Sequence, residues 1–124
     1  MRIGYLNGSP ITDISPQEAT YGFHANEVET SLLLATARPL VKMADATCDY
    51  CAQLGDTRDL RPERAGATFA WVSQDLSKNG IMGDATIATV EKGERWLAQN
   101  AEGLALSVAK LCHEARARIS GDTP

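Results

Sequence analysis

The last third of the chain constrains its fold most. Ile87, Val90, Leu97, Ala101, Leu104, Val108, Leu111 and Ala115 recur largely at threes and fours, with Lys92, Glu94, Arg95, Gln99, Glu102 and Lys110 between them. That spacing predicts one long amphipathic helix over about 86–118, with Asp84 as its cap. Gly93 and Gly103 each weaken such a helix by about 1 kcal/mol relative to Ala. The tail, residues 120–124, is expected to fray.

The remainder offers little sheet to pack against. Ile3, Tyr5 and Leu6 give a weak strand signal, followed by turn chemistry at Asn7-Gly8-Ser9-Pro10 and a bend or helix start at Ser15-Pro16. A second helix opens near Ala25 or Asn26. Val28, Leu32 and Ala35 mark its buried face, widened by Leu33 and Leu34, with Asn26 as N-cap and Glu27 and Glu29 in the first turn. Pro39 stops it, because Arg38 before it is pushed out of helical geometry. Gly55 to Arg64 reads as a charged surface loop, Ala67 to Val72 as the best strand, and Ser77 to Asp84 as a glycine-punctuated loop. One or two strands cannot satisfy their own backbone groups, so part of the fold is expected from elsewhere.

Composition narrows the class. With 124 residues and a 44% apolar fraction, the chain suits one small globular domain. Its net charge of −4 gives no footprint for nucleic acid or an anionic membrane. Apolar runs such as Leu32-Leu33-Leu34-Ala35 are too short to span a bilayer, and the N-terminus lacks the apolar core of a signal peptide, so a cytoplasmic location is expected. Three cysteines, Cys48, Cys51 and Cys112, argue against a disulfide scaffold.

The densest group of reactive side chains is His24-Ala25-Asn26-Glu27-Val28-Glu29-Thr30-Ser31. A neutral His beside a carboxylate is a proton shuttle, and the carboxylate is also a hard ligand for a divalent metal. His24 and Glu27 are three apart and face one spot if the helix starts early, whereas Glu29 points elsewhere on an ideal helix. The plain alternative is a capped helix with acidic residues in its first turn. Two histidines in the whole chain are too few for a complete dinuclear centre to be expected from this chain alone. Cys48-Asp49-Tyr50-Cys51 is a lone CxxC pair without a strand before it, a weak signal for metal or redox work. Cys112 reads as a small buried residue, His113 as a helix-end or surface histidine, and Trp96 as a core anchor. Trp71 reads as a core anchor or as part of a substrate pocket.

The segment from His24 to Ala35, followed by Arg38-Pro39, resembles the His-Ala-Gly-x-x-Glu-Thr-Ser segment of the creatininase (creatinine amidohydrolase) family. Phe69-Ala70-Trp71, Gly80-Ile81-Met82-Gly83-Asp84 and Ala88-Thr89-Val90-Glu91-Lys92-Gly93 resemble that family's closing signature. The likeness runs from about residue 22 to 112, and Asn26 replaces the family's glycine. It implies an α/β class, here part of an α/β/α layered fold that is helix-rich with few strands. It also implies a divalent metal (Zn or Mn), hydrolysis of a non-peptide, often cyclic, amide in a small-molecule substrate, and homo-oligomers. By resemblance, His24 is the proton-shuttling histidine and Glu29 the glutamate of Glu-Thr-Ser. Glu27 and Glu29 are assigned to metal ligation or to support of metal-bound water.

The family's Glu-x-His-Gly and Asn-Gly-His segments have no counterpart here: Asn7-Gly8 is followed by Ser9. The chain therefore resembles the carboxy-terminal half of such a protein, with residues 1–21 as an N-terminal strand and loop segment, 22–119 as the creatininase-like segment and 120–124 as a tail. A full metal site is not expected from this chain alone, and a homo- or hetero-oligomer is expected. Two other functions fit the sequence: a non-catalytic truncated relative acting as an interaction module, and a small CxxC metal or redox protein.

Overall fold

The computed structural model describes residues 8–50 and 72–120, with residues 118–120 in backbone only. In chain order these form α1 (Pro16–Tyr21), α2 (Glu27–Ala37), β1 (Cys48–Asp49), α3 (Ser73–Leu76), β2 (Gly83–Asp84) and α4 (Val90–Ser120). Turns of 3-10 helix occupy Arg38–Leu40, Met43–Asp45 and Ala85–Ile87. The architecture is helix-rich, with a small antiparallel sheet and a long C-terminal helix, consistent with an α/β class. The expected strand at 3–6, the charged loop at 55–64, nearly all of the strand at 67–72, Cys51 and Trp71 lie outside the described residues.

Local chemistry sets the helix starts. Ser15 caps α1: its Oγ accepts the Glu18 amide at 3.0 Å, and Pro16 supplies a first position that needs no donor. Asn26 caps α2, its Oδ1 accepting the Glu29 amide at 3.0 Å. The α-helix ends at Ala37, but Arg38 keeps right-handed helical angles, φ −43 and ψ −42, contrary to expectation. The break falls on Ala37, φ −143 and ψ 40, and Pro39 sits inside the 3-10 turn that follows, near whose start its missing N–H is tolerated. α4 begins at Val90, later than the periodicity suggests, because Asp84 caps the turn Ala85–Ile87 instead, accepting the Thr86 amide at 2.9 Å.

The chain forms two compact units. In the unit of residues 13–94, the buried face of α2 is Glu27, Ser31 and Leu34, whereas Val28, Leu32 and Ala35 are half-buried. The correction has a physical cause. Ser31 Oγ accepts the Thr89 amide at 3.2 Å, and a Cβ at Gly93 would overlap the Ser31 carbonyl. A glycine at 93 therefore lets the first turn of α4 approach the α2 backbone, and polar groups occupy that contact. Among the described residues of this unit, Met82, Ala85 and Ala88 share the apolar interior with Leu34.

The second unit comprises residues 1–12 and 95–124. Trp96 is fully buried, as expected of an anchor. Gln99 Nε2 donates to the Pro10 carbonyl at 2.9 Å. Leu97, Leu104, Val108 and Leu111, expected to face a core, are exposed instead. Cys112, expected to be buried, is also exposed. His113 lies on the surface as expected.

Candidate active site

Glu18 organises the ground under the site. It is 1% exposed, and its carboxylate accepts the Glu27 amide at 2.8 Å, the Tyr50 hydroxyl at 2.7 Å and the Asp84 amide at 3.1 Å. One buried carboxylate thus holds the N-terminus of α2, the end of β1 and the backbone of β2, and its negative charge suits the helix N-terminus. Gly83, at φ +139, makes this possible: a Cβ there would come within 2.6 Å of Asn26 Cβ and 2.8 Å of Glu18 Oε1. The sequence reading missed Glu18. The Ser-x-x-Glu pattern at Ser15–Glu18 signals a capping box, yet this glutamate turns inward to donors remote in sequence.

His24 is fixed through its backbone. Its amide donates to the Met82 carbonyl at 3.2 Å, and its carbonyl accepts the Met82 amide at 2.8 Å. Ala25 then takes a left-handed conformation, φ +50, which turns the chain into α2. The Glu-Thr-Ser triplet clamps that residue. Glu29 Oε2 accepts the Ala25 amide, and Thr30 Oγ1 donates to the Ala25 carbonyl at 3.3 Å. Ser31 is the contact to Thr89 already described. The strain therefore falls on Ala25, while Asn26, which replaces the family's glycine, has an ordinary extended backbone.

The two acidic candidates separate, the reverse of the expected pairing. His24 Nδ1 lies 3.7 Å from Glu29 Oε2, and both side chains are about half exposed. Glu27 is buried, its Oε1 2.6 Å from Lys92 Nζ, which also donates to the Ile87 carbonyl at 2.9 Å. The cause is the start of α2 at Glu27, which places Glu29 in the turn that folds back on Ala25. His24, Ala25, Glu29, Thr30, Leu32 and Leu33 line an open cleft of about 460 Å³, within the size range of small-molecule sites. At 3.7 Å the imidazole and the carboxylate are neighbours, farther apart than in a direct hydrogen bond.

The described residues do not fit a metal centre. Among them, no three His, Cys, Asp or Glu side chains converge. At the cleft, His24 and Glu29 are the donors, and the Glu27 carboxylate is committed to Lys92. Two donors fall short of the three or more that a zinc or manganese site takes from protein. Cys48 suits redox chemistry poorly: partial burial of its thiol and the neighbouring Asp84 carboxylate push its pKa up, against a reactive thiolate. Among the described residues, no helix is long and apolar enough to cross a membrane.

The site is thus an exposed His–Glu pair at a left-handed loop-to-helix turn, beside a small cleft in a helix-rich unit. Residues 6–108 match the creatininase (creatinine amidohydrolase) family, and the chain belongs to that family. No curated protein and no solved structure gives a match.

Proposed function

We propose that this chain carries the proton-transfer part of an amide-hydrolysing site, with His24 as the shuttle and Glu29 as the residue that orients it. The approach of His24 Nδ1 to Glu29 Oε2 at the mouth of the cleft carries this reading. In it, His24 accepts a proton from the attacking water as oxygen bonds to the amide carbon. It returns that proton to the nitrogen as the C–N bond breaks, giving a carboxylic acid and an amine, and transfer of the acid proton to the amine leaves carboxylate and ammonium. Leu32 and Leu33 form an apolar wall suited to a small, non-peptide, cyclic amide. Trp71, which lies outside the described residues, is the further substrate-contact candidate in the same proposal.

The divalent metal expected of the family needs ligands beyond His24 and Glu29. In this reading they come from a segment or partner chain bearing Glu-x-His-Gly, and the assembled protein takes the α/β/α layered arrangement. The test is creatinine hydrolysis with added Zn²⁺ or Mn²⁺, for this chain alone and co-expressed with such a segment. Activity only in the combination supports the proposal. Turnover by the lone chain would overturn its incompleteness, and none in a stable combination would overturn the hydrolytic role. The exposed leucines of α4 favour the second reading, an interaction module, which the last outcome would leave standing.

A further inference from the structure

The exposed apolar side chains of α4 are not scattered. Leu97, Ala101, Leu104, Val108, Leu111 and Ala115 follow one another at steps of 4, 3, 4, 3 and 4. All six are exposed, with Leu97, Leu104, Val108 and Leu111 at 37%, 42%, 43% and 44%. An alternation of four and three residues is the heptad spacing of a coiled-coil seam, and its natural occupant is another helix. Gln99 and Gly103, which lie off the seam, are half-buried, and Gln99 already contacts the N-terminal arm at Pro10. The seam is thus separate from the face that this unit uses internally.

We infer that this seam pairs with the same seam of a second copy of the chain, in antiparallel orientation. The order of side chains selects both occupant and direction. With the two helices centred on residue 106, Leu97 meets Ala115, Ala101 meets Leu111, and Leu104 meets Val108. The outer layers each join a large side chain to a small one, and the central layers join two of similar size. A parallel pair instead stacks Ala101 on Ala101 and Ala115 on Ala115, leaving two hollow layers, and hollow layers cost packing energy. Ala98, Ala105 and Cys112 flank the seam on one side and let the helices approach closely. The seam from Leu97 to Ala115 is ~28 Å long. Burying a strip ~18 Å wide on each copy removes on the order of 1,000 Å² in total, the lower bound for a specific interface.

The test is sedentation of the full chain by analytical ultracentrifugation at tens of micromolar, with Leu104→Glu and Leu106→Glu beside it. Leu106 is 67% exposed and lies off the seam, so it controls for added surface charge. The expected result is a dimer for the wild type and for L106E, and at least a tenfold weaker dimer for L104E, with unchanged helical circular dichroism. A monomeric wild type, or an oligomer indifferent to L104E, would overturn the inference. Direction is read by Ala105→Cys in a background of C48S, C51S and C112S. Antiparallel pairing places the two residues at position 105 side by side, so mild oxidation yields a covalent dimer. Failure of that crosslink in a sample that still sediments as a dimer overturns the antiparallel assignment.

Discussion

Lys92 Nζ lies 2.6 Å from Glu27 Oε1, in an ion pair whose carboxylate is almost wholly buried. The pair joins the two segments that carry the family resemblance, His24 to Ser31 and Ala88 to Gly93. Lys92→Met leaves that carboxylate without its cation, and breaking a buried pair from one side typically costs ~3–5 kcal/mol. Lys92 retains some water contact, so a loss of ~2–4 kcal/mol is expected in urea unfolding. Adding Glu27→Gln to Lys92→Met should recover part of that loss. Equal stability of Lys92→Met and wild type would show that the pair contributes nothing.

Ala25 holds a left-handed backbone between two hydrogen-bonding clamps. A left-handed residue other than glycine costs ~1–2 kcal/mol, part of which glycine gives back through its freer unfolded chain. Ala25→Gly is therefore expected to raise stability by ~0.5–1 kcal/mol. Ala25→Val, branched at Cβ, should lower it. Thermal melts of the two variants measure both signs, and a destabilised glycine variant would contradict the strain assigned to this turn.

Tyr50 gives the chain an alkaline signature. Burial, and the hydrogen bond from its hydroxyl to Glu18, push its pKa well above the ordinary 10.0. A pKa raised in the folded state contributes stability that is whole below the unfolded value and lost as pH climbs through the folded one. Tyr50→Phe removes a hydrogen bond to a charged group, worth ~1.5–3 kcal/mol at neutral pH. The gap between wild type and Y50F should narrow between pH 10 and 11 in urea titrations. A gap that stays constant over that range would show that the hydroxyl does not sense Glu18.

The sequence made local features legible and long-range ones not. Ser15 and Asn26 act within a turn of their own positions, so the beginnings of α1 and α2 follow from neighbouring residues. The end of α2 falls near Pro39 as expected, but the break is at Ala37 and Arg38 stays helical. The buried face of α2 depends on Lys92 and Thr89, which lie 65 and 58 residues from their partners Glu27 and Ser31. A hydrophobic count therefore selected Val28 and Leu32 instead. Glu18 stayed hidden for the same reason, because its donors Glu27, Tyr50 and Asp84 are distant in the chain. The family motifs located His24 and Glu29, but their approach to each other depends on the left-handed turn at Ala25 and on Glu29 folding back to the Ala25 amide, which spacing alone does not reveal.

Proton transfer at His24 is the centre of the account, and the kcat for creatinine hydrolysis by the completed, metal-supplemented assembly measures it most directly. General acid–base catalysis is worth ~10²–10⁴ in rate, so His24→Gln should lower kcat by at least ~10² with KM little changed. Glu29→Gln, which only orients the ring, should cost roughly tenfold or less. An assembly that keeps its full kcat with His24→Gln would contradict the account.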